Sequence, residues 1–87
     1  MNEEVFKLVS TLNDLYESNY KNIEPLVLEL INNNIKDINL IESYLDTLLS
    51  IPTDKSYILL KRLCDYYKTI NKENADFYIR EYKKIMK

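Results

Sequence analysis

Residues 53–70 read TDKSYILLKRLCDYYKTI, and the fold turns on this stretch. Leu59, Leu60, Leu63, Cys64, Tyr66, Tyr67 and Ile70 recur at helical spacing. Their arc is too wide for one buried stripe, so the helix they form is expected to be central, with neighbours on two sides. Thr53 or Asp54 can cap its start, and Asn71 marks the break after it. A further helix follows, with Ala75, Tyr78, Ile79, Tyr82, Ile85 and Met86 in register and an Asp76–Arg80 pair outside.

Upstream, Pro52 closes a helix that Asp37 can cap and that carries Ile38, Ile41, Leu45, Leu48 and Leu49. Before it, Asn22 can cap a short helix with Pro25 in its first turn, where a missing N–H does no harm. That helix has Ile23, Leu26, Val27, Leu30 and Ile31 as its stripe, and Asn32-Asn33-Asn34 ends it. The first segment carries Val5, Leu8, Val9, Leu12, Leu15, Tyr16 and Tyr20. Glu3 and Glu4 lie at its dipole-positive end, and Glu3–Lys7 and Glu17–Lys21 are supporting pairs. No stretch alternates strictly enough to be a strand. Residues 1–87 therefore form a single helical domain, all-α, an irregular and compact antiparallel bundle of four to five short helices with a C-terminal αα-hairpin.

The spacing Leu60-x-x-Leu63-Cys64-x-x-Tyr67, then Ala75-x-x-x-Ile79-x-x-Tyr82, resembles a tetratricopeptide helical hairpin over roughly the last third of the chain. The turn is one residue short, and Tyr82 stands where that family prefers a small side chain. A generic αα-hairpin has similar spacing and no second copy lies upstream, so a repeat array is not read from it.

The composition is globular, 46% hydrophobic and 30% charged. The longest apolar run is Tyr57 to Leu60, far short of the roughly 20 residues a spanning helix needs. The opening Met1-Asn2-Glu3-Glu4 is acidic where a secretory leader is basic, so the location expected is cytoplasmic. Glycine and histidine are both absent. Phosphate-cradling glycine loops, histidine bases and His/Cys zinc sites are thereby excluded. Asp14/Glu17, Glu42/Asp46 and Glu73/Asp76 are carboxylate pairs at helical spacing, but they fall on polar faces and lack the partners of a carboxylate metal centre. No catalytic, cofactor or metal site is expected, and no enzyme. Cys64 reads as a small buried hydrophobe. Of the eight tyrosines, Tyr16, Tyr20, Tyr67, Tyr78 and Tyr82 lie on core faces with their hydroxyls at the rim. The preference for Lys, Ile, Asn and Tyr follows A/T-rich codons and suggests a low-GC bacterium, its phage or another mobile element.

Charge is the most informative feature. The total is −2, yet residues 1–52 carry three bases against nine acids and residues 53–87 carry nine against five. The chain is thus polarised from −6 to +4. Phe6, Leu28, Leu40, Ile58 and Phe77 fall away from their helices' main stripes, and Ile58 and Phe77 sit among bases. An apolar centre ringed by charge is the anatomy of a protein-binding patch. The expected function is a small non-enzymatic regulatory module of inhibitor, antitoxin or immunity type. Ile58 and Phe77 would anchor its partner, while Lys61, Arg62, Arg80 and Lys84 steer an acidic surface. A homodimer would cover the same residues. Nucleic acid is the alternative for this basic face, disfavoured by a glycine-free turn and only two arginines, and no membrane partner is expected.

Overall fold

The computed structural model describes the backbone from Asn2 to Ile85 and the side chains from Asn13 to Lys84. Four helices follow one another: α1 (Asn2–Asn32), α2 (Ile38–Leu49), α3 (Asp54–Lys68) and α4 (Lys72–Ile85). No strand occurs among the described residues.

Four helices replace the five segments read from the sequence because the first two are one. Neither Asn22 nor Pro25 interrupts α1, and Pro25 lies inside it. The reason is phase. Tyr16, Tyr20, Ile23, Val27 and Leu30 advance by three or four residues without a skip, and all pack on or against the core. Pro25 has no N–H for the Lys21 carbonyl, but both residues are exposed and water can serve that oxygen. An interior proline costs about 3 kcal/mol, whereas burying Ile23, Val27 and Leu30 returns about 1.5–3 kcal/mol each. Burial wins, and the helix runs through.

The other breaks are chemical ones that the sequence announces. Asn34 adopts φ 53°, the left-handed position a glycine would ordinarily take, in a chain with none. The Ile35 N–H then bonds the Leu30 carbonyl at 3.1 Å and the Asn34 N–H the Ile31 carbonyl at 3.2 Å, which closes the end of α1 in a Schellman turn. Asp37 caps α2 through Leu40 N–H at 3.2 Å, Thr53 caps α3 through Ser56 N–H at 3.3 Å, and Asn71 caps α4 through Asn74 N–H at 3.0 Å.

α3 is central, as its arc requires. It packs against α1, α2 and α4, and seven of its fifteen residues are buried: Ser56, Tyr57, Leu59, Leu60, Leu63, Cys64 and Tyr67. The buried Ser56 hydroxyl donates to the Leu48 carbonyl at 2.6 Å and clips the start of α3 to the end of α2. Ile51, in the connection between them, is also buried. At the far end the Tyr66 hydroxyl donates to the Ile35 carbonyl at 2.6 Å. Tyr57, near the start of α3, meets Tyr82, near the end of α4, edge to face at 6.0 Å.

The molecule is elongated, 51 × 27 × 18 Å. Its length comes from α1, whose 31 residues span about 46 Å, while α2 to α4 reach only about 18–22 Å.

Candidate partner-binding surface

The surface in question begins on α3. With one face of this helix buried on three neighbours, position 58 falls nearly opposite the buried stripe, and Ile58 is 70% exposed. Lys55, Lys61 and Arg62 lie within one turn of it and are exposed, with Asp54 and Asp65 on the same side. Lys61 and Arg62 have no ion-pair partner among the described residues; Lys55 reaches the Glu17 carboxylate of α1 at 3.9 Å. Every other large aliphatic residue of α3 is buried. Ile58 is therefore an apolar centre in a predominantly basic surround.

Phe77 of α4 is half exposed, but its surroundings differ from the basic setting read from the sequence. It lines a groove of about 290 Å³ with Glu42, Asn74 and Tyr78, and the one charged group in that lining is a carboxylate. Its ring stands edge-on to Tyr78 at 5.3 Å. Helical spacing alone assigned its neighbours within α4; it could not show that α2 brings Glu42 alongside. Ile58 is not among the residues of this groove. Arg80 is exposed and unpaired among the described residues, so the expected Asp76–Arg80 pair does not form, while Lys84 donates to Glu81 at 3.2 Å. Phe6 lies outside the described side chains; Leu28 and Leu40 are half-buried against the core.

Beside the Phe77 groove runs a polar seam. The Tyr67 hydroxyl, on an otherwise fully buried residue, donates to Glu42 Oε2 at 2.6 Å and accepts from Asn74 Nδ2 at 3.1 Å. The Tyr78 hydroxyl donates to Asp46 Oδ1 at 3.0 Å. Carboxylates four residues apart on α2 thus anchor tyrosines from α3 and α4. In both tyrosines burial is the main reason the phenol pKa is raised, with the carboxylate hydrogen bond next. Tyr20, bonded to Glu24 at 2.8 Å, is pushed up to about 12 for the same reasons. These phenols stay protonated at neutral pH and act as donors that fix helix positions. Burial likewise pushes the Cys64 thiol up to about 12, with Asp65 adding to the shift and Lys68 opposing it, so no nucleophilic thiolate is presented.

The sequence reading found the tyrosines but not their acceptors, because Glu42 and Asp46 lie 25 and 32 residues away from Tyr67 and Tyr78. It also missed a second groove, about 600 Å³, where the ends of α1 and α3 meet, lined by Asn34, Lys36, Tyr66, Thr69 and Ile70. Two of its hydroxyls are already committed, Tyr66 to Ile35 and Thr69 to the Tyr66 carbonyl. Among the described residues no cluster of three or more potential metal ligands occurs. No described helix is long and apolar enough to cross a membrane. No protein-family description, curated protein or solved structure matches the chain.

Proposed function

We propose that this chain is a non-enzymatic interaction module that docks a protein partner through the outer side of the αα-hairpin made by α3 and α4, and regulates that partner by occupancy. An inhibitor-, antitoxin- or immunity-like role suits such a module. The observation that carries this reading is Ile58, 70% exposed among Lys55, Lys61 and Arg62 on a helix that hides its other large aliphatics. Burying one such side chain at an interface is worth about 1.5–3 kcal/mol, roughly 10- to 150-fold in affinity. The surrounding cations favour an acidic partner and accelerate its approach. Phe77, with Arg80 and Lys84 on α4, supplies a second contact point whose groove also admits a polar group against Glu42.

The test is capture of a stoichiometric protein from source-cell lysate by the tagged chain, with nuclease present, compared with an Ile58→Asp, Phe77→Asp variant. The variant is expected to keep its helical circular dichroism and lose the partner. Retention of the partner by the folded variant refutes the assignment of the surface. A partner lost on nuclease treatment, with steep salt dependence, transfers the basic face to phosphate binding instead.

A further inference from the structure

The groove beside Phe77 is chemically unlike the Ile58 face. Phe77 is 50% exposed and its ring stands at 87° to that of Tyr78, 5.3 Å away, so the two rings form an apolar corner. α2 brings Glu42 to that corner and the first turn of α4 adds Asn74, enclosing about 290 Å³. That is at the small end for ligand sites, and it suits one side chain rather than a whole cofactor. The neighbouring seam has already used most of the groove's protons. The Tyr67 hydroxyl donates to Glu42 Oε2, the Tyr78 hydroxyl to Asp46 Oδ1, and one Asn74 N–H to Tyr67. What remains is mainly lone pairs, on Glu42 Oε1, Asn74 Oδ1 and the Tyr78 oxygen, with a single Asn74 N–H besides. Glu42 has no ion-pair partner among the described residues. One turn from Phe77 along α4 stand Glu73 on one side and Arg80 and Glu81 on the other. Glu81 is paired with Lys84, and Arg80 does not line the groove. With Asp46 beyond Tyr78, carboxylates outnumber cations around this corner.

We propose, on the reading of the α3–α4 hairpin as a docking surface, that the Phe77 groove is a pocket for a guanidinium, filled by an arginine side chain of the docked partner. A planar cation meets every feature at once. Its face stacks on the exposed Phe77 ring, its N–H edge donates to Glu42 Oε1 and Asn74 Oδ1, and its charge is balanced by Glu42. An ammonium reaches the same acceptors as a point charge and cannot lie flat on the ring. An apolar side chain strips water from the Glu42 carboxylate and gives it no donor in return. An anion meets a carboxylate. The partner is thereby oriented, with acid against Lys61 and Arg62 and an arginine against Glu42; turned end for end, it sets like charge on like at both places.

The test is a titration of the isotope-labelled full chain with Nα-acetyl-arginine amide, followed through its amide signals by NMR. The backbone amides of Glu42, Asn74, Phe77 and Tyr78 and the side-chain amide of Asn74 are expected to shift saturably, with a Kd on the order of millimolar. Nα-acetyl-citrulline amide has the same shape without the charge, and Nα-acetyl-lysine amide has the charge without the plane. Each is expected to bind at least about five-fold more weakly than the arginine probe. Phe77→Leu removes the π face at an exposed position, and Glu42→Gln removes the charge while keeping an acceptor for Tyr67. Each variant is expected to keep its circular dichroism and to weaken arginine binding at least about five-fold. Three results overturn the pocket: no saturable shift at these positions up to about 50 mM probe, citrulline or lysine binding as tightly as arginine, or Phe77→Leu binding like wild type. If Glu42→Gln unfolds, citrulline and Phe77→Leu decide. Ile58-dependent capture of a protein without arginine binding overturns the pocket and leaves the docking reading, whereas arginine binding without any captured protein supports the pocket and removes the docking reading.

Discussion

Removing one oxygen atom tests the tyrosine–carboxylate seam. Tyr67→Phe deletes the hydroxyl that donates to Glu42 at 2.6 Å and accepts from Asn74 at 3.1 Å, while leaving the buried ring in place. A hydrogen bond to a charged acceptor contributes about 1.5–3 kcal/mol net. Glu42 and Asn74 are only half-buried, so both recover water when the hydroxyl goes, and the lower end, about 1.5 kcal/mol, is expected. With an m-value of about 1 kcal/mol per molar urea for a chain of this size, the midpoint should fall by roughly 1–1.5 M at unchanged m. The melting temperature should fall by roughly 6–12 °C. Alkaline pH supplies an independent reading. The folded protein holds the Tyr67 phenol above its ordinary value of 10.0, so between that value and the folded one the native state binds the proton more tightly than the unfolded chain does. Its contribution is complete below pH 10 and is lost as pH rises through the folded pKa. Wild type and Tyr67→Phe should therefore converge above pH 10. A double-mutant cycle with Glu42→Gln should show a coupling of at least about 0.5 kcal/mol. A loss below about 0.5 kcal/mol at pH 7, or a difference that does not shrink above pH 10, refutes the reasoning.

Three further outcomes follow from the packing. Leu63→Ala, at a fully buried position of the central helix, should cost about 2–5 kcal/mol by urea titration, a large share of the roughly 4–13 kcal/mol available to a chain of this length. Pro25→Ala should stabilise by about 2–2.6 kcal/mol, because relieving the about 3 kcal/mol cost of an interior proline outweighs the about 0.4–1 kcal/mol lost as the unfolded chain gains freedom; thermal denaturation reads it directly. The Cys64 thiol should resist a disulfide reagent at pH 8 in the folded protein and react fully in denaturant, whereas rapid native labelling would place it at the surface.

Helix type was legible from the start because every helix presents apolar residues at a 3.6-residue period, and the caps Asp37 and Thr53 stand where their side chains would predict, while Asn71, legible only as a break, also caps α4. The α1 break was misread because Asn22 and Pro25 carry local signals for the start of a new helix, while the decisive quantity, the unbroken core stripe through Ile23, Val27 and Leu30, is tertiary. Ile58 was legible because its position depends on α3 alone. Phe77 was legible as exposed but not in its company, since Glu42 arrives from another helix. Ile51 escaped notice for a related reason: periodicity has no meaning in a four-residue connection, yet the turn drives that side chain into the core. Leu15 and Leu26 lie on predicted stripes and are nevertheless exposed, Leu15 where α1 outruns the body and Leu26 on the side of the continuous helix away from its neighbours.

The central place of α3 also constrains how the chain is born. Each of the other helices leans on it, so a nascent polypeptide that has emerged only as far as Pro52 owns two apolar stripes and no element to cover them jointly. Closure must await the emergence of Lys68, by which point Val27, Leu30, Ile41 and Leu45 have been accessible to chaperones and to neighbouring nascent chains.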